Sequence, residues 1–284
     1  MGYARGISQD FPNEHHCWNT DWGVYDCISL LVVIEMWSRT VGVLILLLSA
    51  SLSGCLSDSK NDSNIEIIVN YQENNGTVVE SYTDGELISI SEVSFDFDFS
   101  QTIASNPLVT YGIDTMDGRS PVTVNASSNS VITVEFSKHG MYNINAFAID
   151  DKNHQDNISI LIRVELRIEW LEFDSNNPKT MIFDPRPENG GQNPTQIEVN
   201  SLVENPSFVG QFGGGQSVQF TWNIVDEQDD VCQGKSDEVD DGESATWYTV
   251  HFNTFQVHEL RISYDDGQDY ININQSVSIQ YNEG

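Results

Sequence analysis

The sequence predicts an all-β protein, with two tandem β-sandwich domains behind an N-terminal export segment. Three observations favour this fold class. Apolar and polar residues alternate at period two in short runs, Asn-, Asp- and Gly-rich turns separate the runs, and no stretch shows sustained helical periodicity. The chain has 284 residues, which is enough for two sandwich domains of about 100 residues each after the export segment.

Residues 36–54 have the layout of a signal peptide. Arg39 gives a positive start, residues 41–48 are apolar, and small residues follow. The apolar run is too short to span a bilayer as a helix. The segment leads into four residues that resemble the lipobox of secreted lipoproteins, namely Leu52, Ser53, Gly54 and Cys55.

This resemblance implies cleavage before Cys55 and attachment of lipid to its sulfur. The protein would then be exported and held by the lipid on the outer face of the cell membrane, with residues 55–64 as the lipidated cysteine and a polar tether. The alternative is a plain secretory signal in which Cys55 is incidental.

Residues 1–35 precede a signal peptide that should itself be N-terminal. We interpret them as a misassigned extension, with translation starting at Met36. The alternative is a genuine cytoplasmic extension with a metal site. Its candidate ligands, whose spacing matches no zinc pattern, are His15, His16, Cys17 and Cys27.

The chain is strongly acidic, with 12 Lys and Arg residues against 43 Asp and Glu residues and a net charge of −31. Such a surface repels phosphate backbones, so we expect no nucleic-acid partner. It also repels anionic headgroups, so membrane attachment must come from the lipid.

The first domain is predicted over residues 65–166. Its strands are expected at 65–71, 77–82, 86–90, 93–100, 108–113, 131–136, 141–150 and 158–168. In the fourth of these, Phe95, Phe97 and Phe99 alternate with Asp96 and Asp98, which predicts a strand with buried aromatic rings and exposed carboxylates.

The second half of this domain resembles a PKD domain. The matching stretches are Tyr111-Gly112-Ile113-Asp114, Asp117-Gly118, Val134-Glu135-Phe136, His139-Gly140-Met141-Tyr142-Asn143-Ile144 and Ile149-Asp150-Asp151. The resemblance implies an immunoglobulin-like β-sandwich on a cell-surface protein. A Tyr at the position of Tyr142 can hydrogen-bond through its hydroxyl to the nearby backbone, although it could equally be an ordinary half-buried strand residue.

The second domain is predicted over residues 167–284. Apolar residues alternate up to Trp170, but Leu171 and Phe173 are apolar and Glu172 is polar, which predicts a change in the buried face. One domain's last strand would thus run into the next domain's first. Further strands are expected at 197–203, 217–225, 246–252, 256–264 and 271–281, with loops at 174–194.

Residues 220–226 resemble the Trp-Asp stretch of the PKD family, so the second domain is expected to be another immunoglobulin-like sandwich with an acidic insertion at 227–244. This insertion is the candidate calcium site, because calcium takes six to eight oxygen ligands. The alternative is a solvated acidic loop. The candidate ligands are Asp226, Asp229, Asp230, Asp237, Asp240 and Asp241.

Cys232 is the cysteine that would remain beside Cys55 after cleavage, in a stretch that reads as a loop. It is either a free thiol or an intermolecular link.

Gly234-Lys235-Ser236 lacks the leading glycine of a phosphate loop, and we reject a phosphate-binding function for this stretch. The histidines at 139, 154, 251 and 258 show no metal-type spacing, so we expect no cofactor apart from the calcium alternative, and no enzyme.

Five sequons would allow N-glycosylation of an exported protein, at Asn61, Asn75, Asn125, Asn157 and Asn274. Taken together, the sequence predicts a surface lipoprotein that acts as an adhesion, binding or spacer module, with an unknown extracellular protein or glycan as partner. The alternatives are a structural component of the cell envelope and an accessory domain of a surface hydrolase system. A binding module is expected to show an aromatic patch near Trp222 or Trp247.

Overall fold

The computed structural model describes residues 65–207, 215–267 and 270–282, and within these ranges the chain forms strands and no helix, which confirms the all-β class. Four predicted features lie outside the described residues. They are the predicted signal peptide, the lipobox-like residues with Cys55, the alternative metal site in residues 1–35 and the sequon at Asn61. The strands are β1 (Ile65–Glu66), β2 (Asn75–Thr83), β3 (Glu86–Ser91), β4 (Val93–Asp98), β5 (Ile103–Ala104), β6 (Leu108–Asp114), β7 (Val122–Asn125), β8 (Val131–Phe136), β9 (Gly140–Asp150), β10 (Gln155–Ser175), β11 (Met181–Phe183), β12 (Gln196–Glu204), β13 (Val218–Asp226), β14 (Val231–Val239), β15 (Ser244–His251), β16 (His258–Asp266) and β17 (Ile271–Gln280).

A nine-stranded sheet joins the two halves of the chain. Its order is β15-β12-β17-β10-β9-β6-β7, and β2 also pairs with β10 and carries β3. The 21-residue strand β10 is the centre of this sheet, since β9 pairs with its first half, β17 pairs with its second half, and β2 runs parallel to residues 163–171. The strand predicted at 158–168 is therefore part of a longer one that continues past residue 166.

The first half of the chain packs the two-stranded sheet β4–β8 against the large sheet. The predicted alternation in β4 is confirmed, because Phe95 and Phe97 are buried and Asp96 is exposed. The ring of Phe136 on β8 lies 4.6 Å from the ring of Tyr142 on β9, so aromatic contacts close this part of the core.

Tyr142 makes the backbone hydrogen bond that the resemblance to PKD domains implies. Its hydroxyl donates to the carbonyl oxygen of Lys138 at 2.8 Å, and the side chain is buried. Burial raises the pKa of Tyr142 to about 12, so the hydroxyl keeps its proton and remains a donor at any physiological pH.

The buried Asp150 ends β9 and organises the turn that follows. Its carboxylate accepts hydrogen bonds from the side chains of Asn106 and His154 and from the backbone N–H groups of Lys152 and His154, at 2.8 to 2.9 Å. Burial alone would raise the pKa of Asp150, but these donors outweigh it and hold the pKa well below its ordinary value.

The second half packs a four-stranded sheet, of order β11-β16-β13-β14, against the β15-β12-β17 side of the large sheet. Trp222 on β13 is fully buried between the sheets and donates from Nε1 to the hydroxyl of Ser201 on β12 at 2.8 Å. The ring of Trp247 lies 6.0 Å away and is also buried. The expectation of an aromatic binding patch at these two tryptophans is therefore wrong, since both belong to the core.

The predicted change of buried face at Leu171 is also wrong. The alternation continues along β10, so Leu171 and Phe173 are 36% and 55% exposed while Glu172 is 4% exposed. The carboxyl group of Glu172 is tolerated there because it accepts hydrogen bonds from the Ser175 hydroxyl, at 2.6 Å, and from the backbone N–H of Lys179, at 3.1 Å.

The stretch predicted as an acidic insertion contains a strand. β14 pairs antiparallel with β13 at one edge of the four-stranded sheet, so Cys232 lies on a strand and not in a loop. Polar side chains suit this position because an edge strand is exposed and its backbone is held by one neighbour. The predicted loop at 174–194 likewise holds the three-residue strand β11. The described residues from Ile65 onward belong to one compact unit, and the division into two domains at residue 166 stays a prediction.

Candidate functional site

A surface groove beside β4 is the candidate binding site. Its volume is 550 Å³. The segment after β1 forms one wall and β4 forms the other. The lining residues are Asn70, Tyr71, Gln72, Glu73, Ser94, Phe95, Asp96, Asp98 and Val131.

The aromatic wall of the groove is held firmly although it belongs to no strand. Asn70 and Asp98 exchange two backbone hydrogen bonds, of 2.9 and 2.8 Å, which fix the segment against β4. The neighbouring Tyr71 is 43% exposed, and its ring centroid lies 6.1 Å from that of the buried Phe97. The Tyr71 ring is thus supported from below and open to solvent.

The polar wall carries carboxylates. Asp98 accepts hydrogen bonds from the backbone N–H and the hydroxyl of Ser100, at 2.8 and 2.9 Å, and these hold its pKa below the ordinary value. Asp96 accepts a hydrogen bond from the hydroxyl of Thr133 on β8. The groove therefore combines one aromatic face with fixed hydrogen-bond acceptors, an arrangement that suits a ligand with both C–H surface and hydroxyl donors.

Sequence reasoning predicted the strand β4 but did not identify this groove. Tyr71 was assigned to a continuous strand over 65–71, whereas β1 ends at Glu66. A signal was present in Tyr71-Gln72-Glu73-Asn74-Asn75, which is polar apart from one tyrosine. The exposure of that tyrosine depends on the pairing between Asn70 and Asp98, which the local sequence does not reveal.

The structure does not bring the six predicted calcium ligands together. Three of them lie at the turn between β13 and β14, Asp237 lies within β14, and two lie at the turn after β14. A nine-residue strand extends about 26 Å, so the two turns cannot contribute to one ion. The two turn groups are Asp226, Asp229 and Asp230 at the first turn and Asp240 and Asp241 at the second.

Several of these carboxylates have partners within the protein. Asp226 accepts hydrogen bonds from the backbone N–H groups of Gln228 and Asp230, which lower its pKa. Asp229 forms an ion pair with Arg261 at 2.7 Å. Asp237 pairs with Lys235, also at 2.7 Å, and its pKa is lowered by that contact. Calcium binding at either turn stays a prediction.

Cys232 is exposed and forms no disulfide within the described residues, and the choice between a free thiol and an intermolecular link stays a prediction. The partial desolvation of its sulfur, followed by the charges of Asp226 and Asp230, raises the pKa of the thiol.

The histidines differ in a way that their spacing did not reveal. His139 and His154 have partners of their own, since His139 Nδ1 lies 2.7 Å from the Tyr281 hydroxyl and His154 binds Asp150. His251 and His258 come together instead, with ring centroids 4.6 Å apart. Burial and the neighbouring His258 lower the pKa of His251.

The four described sequon asparagines are all exposed, as N-glycosylation requires. They lie at the start of β2, the end of β7, in β10 and in β17, at Asn75, Asn125, Asn157 and Asn274. Among the described residues no helix is both long and apolar enough to cross a membrane.

No protein-family model matches the chain, and no curated protein matches it in sequence. Among solved structures it is similar to a carbohydrate-binding module of the β-sandwich superfamily, with 10% identity and a TM-score of 0.29, covering 79% of this chain and 100% of that one. It is also similar to fibronectin(III)-like modules of Clostridium thermocellum CbhA, with 12% identity and a TM-score of 0.24, covering 75% and 94%. A Bacteroides ovatus mixed-linkage glucan utilization locus protein, SGBP-B, in complex with a mixed-linkage heptasaccharide, matches with 10% identity and a TM-score of 0.22, covering 72% and 52%. Values this low support no argument about function.

Proposed function

We propose that the protein is an exported, lipid-anchored binding module whose groove beside β4 takes a neutral glycan. The observation that carries the proposal is Tyr71, an exposed ring held in a 550 Å³ groove next to fixed carboxylates. The C–H face of a sugar ring can pack on the tyrosine, while its hydroxyls donate to Asp96 and Asp98. A net charge of −31 disfavours anionic glycans, which is why the ligand is neutral.

The binding test compares neutral polysaccharides in affinity electrophoresis, with calorimetry for any that retards the protein. Tyr71→Ala should abolish retardation, and Asp96→Asn should weaken it. Tyr248→Ala is the matched control, because Tyr248 is an exposed tyrosine on β15, away from the groove. Binding that survives Tyr71→Ala but is lost in Tyr248→Ala would move the site elsewhere and end the proposal for this groove.

The anchor rests on the residues Leu52-Ser53-Gly54-Cys55. It is tested by lipid labelling of a protein expressed from Met36, followed by membrane fractionation. Label and membrane retention should vanish together in Cys55→Ser. Release of the unlabelled wild type into the medium would instead indicate a plain secretory signal.

A second function, a structural component of the cell envelope, is favoured by the edge strand β3. Among the described residues β3 pairs with β2 alone, and its apolar side chains Leu87, Ile88 and Ile90 are all exposed. An open, apolar strand edge can add a strand from a second copy of this chain. Self-association that grows with salt and is abolished by Ile88→Lys would support this function, whereas a monomer at every salt concentration would exclude it.

A further inference from the structure

One cluster of side chains has the composition of a transition-metal site. The Sγ of Cys232 and one ring nitrogen from each of His251 and His258 lie within 4.8 Å of one another. The three residues come from the successive strands β14, β15 and β16, and a single ion could contact all three.

His258 is held in the tautomer that a metal ligand needs. Its Nε2 lies 2.8 Å from the backbone carbonyl oxygen of Asn253. A carbonyl only accepts, so Nε2 carries the proton and Nδ1 presents its lone pair. Metal-bound histidines typically donate their second N–H to a carbonyl or carboxylate in this way. The residue is fully buried, and its Nδ1 has no hydrogen-bond partner.

His251 adds a second nitrogen of the same kind. Its side chain is 7% exposed, and its Nε2 is buried without a hydrogen-bond partner. A buried nitrogen without a partner costs free energy, and two such nitrogens on touching imidazole rings are unusual in a folded core. A bound cation would satisfy both at once.

The third ligand is aimed at the histidines by an irregularity in β14. Val225 pairs with Val231 and Ile224 pairs with Gln233, so Cys232 is the extra residue of a β-bulge. Bulges redirect side chains and are common beside functional sites. The next residue, Gln233, binds across to β15, donating to the carbonyl of Val250 at 3.1 Å and accepting from Thr249 at 2.7 Å. This contact brings the start of β14 next to the end of β15, where His251 lies.

We propose that Cys232, His251 and His258 bind one divalent transition-metal ion of the zinc type, which links the two facing sheets in the second half of the chain. Two imidazole nitrogens and a thiolate suit zinc and disfavour calcium, which prefers oxygen. Three protein ligands leave a fourth tetrahedral position for solvent. Binding releases the thiol proton of Cys232 to solvent as the sulfur–metal bond forms.

The test uses the full chain under reducing conditions, with cobalt(II) as a spectroscopic probe and zinc(II) in competition with a chromogenic chelator. The wild type should bind one cobalt per chain with a thiolate-to-cobalt charge-transfer band. Cys232→Ser should lose the band and bind zinc at least about 100-fold more weakly, since even the loss of a residue that supports a ligand costs 10- to 100-fold. Cys232 is exposed, so this variant should keep the wild-type circular dichroism spectrum.

A matched control removes the histidines and cysteines of residues 1–55 and leaves the cluster intact. It changes the N-terminal histidines to Gln and the N-terminal cysteines to Ser, at His15, His16, Cys17, Cys27 and Cys55. This variant should keep the charge-transfer band and the tight site. The proposal is overturned if the band disappears in this control, if it persists in Cys232→Ser, or if the wild type binds no zinc. His251→Gln provides a second variant, which should keep a thiolate band but bind zinc at least about tenfold more weakly.

Discussion

The buried face of β10 can be tested with two adjacent alanine substitutions. If the alternation of β10 continues as the structure shows, Glu172→Ala should lower the free energy of unfolding markedly, whereas Leu171→Ala should hardly change it. Glu172 accepts hydrogen bonds from the Ser175 hydroxyl and the Lys179 N–H, and its removal leaves these donors without their acceptor. One buried donor left unsatisfied costs about 1–3 kcal/mol, so we expect Glu172→Ala to lower the free energy of unfolding by about 2 kcal/mol.

Leu171 is 36% exposed, so its truncation to Ala should lower the free energy of unfolding by under about 0.5 kcal/mol. Truncation of a buried leucine would lower it by about 2–5 kcal/mol. Denaturant unfolding followed by tryptophan fluorescence measures both variants. The two stabilities should differ by about 1.5–2 kcal/mol, so scanning calorimetry should place the two midpoints roughly 3–8 °C apart, at about 2–4 °C per kcal/mol. If Leu171→Ala lowers the free energy of unfolding more than Glu172→Ala does, the assigned register of β10 is refuted.

Three further outcomes are expected. Tyr142→Phe removes the hydrogen bond to Lys138 and should lower stability by about 1 kcal/mol without changing the circular dichroism spectrum; an unchanged stability would mean that the hydroxyl is solvated in solution. The pKa of Asp150 is lower in the folded than in the unfolded chain, so its stabilising contribution is present above about pH 4 and is lost as the pH falls. Asp150→Asn should therefore be less stable than the wild type at pH 7 and lose less stability on acidification, as acid titrations of the unfolding midpoint would show. Trp222→Ala should cost about 3–5 kcal/mol and leave glycan affinity unchanged in the folded fraction, as a core residue requires.

Sequence periodicity was sufficient to predict a strand where the strand has one buried face and a strong alternation of apolar and polar residues. Phe95, Phe97 and Phe99 identify β4 without any tertiary information. The hydrogen bond of Tyr142 was expected from the resemblance to PKD domains and not from periodicity. β14 was missed because it is an edge strand with Val239 as its one buried residue, so its pairing with β13 decides its conformation.

The remaining errors also have tertiary causes. The face of Glu172 was misassigned because Ser175, at the end of β10, and Lys179, just beyond it, satisfy a buried carboxyl group that a hydropathy pattern counts as exposed. His251 and His258 are seven residues apart and show no metal motif, because the sulfur beside them comes from a bulge in another strand. In both cases the deciding contacts depend on how turns and successive strands fold back on one another, which a hydropathy pattern does not record.

The path of β10 has a consequence for any attempt to produce the two halves separately. β2 forms backbone hydrogen bonds along residues 163–171, on both sides of residue 166. In a fragment ending at residue 166, β2 would lose its pairing with residues 167–171 of β10, which is more than half of the paired stretch. A fragment starting at residue 167 would lack β2 altogether. Each fragment would present a long edge of unpaired amides that templates aggregation. Amide exchange across β10 should accordingly proceed through one cooperative opening rather than two.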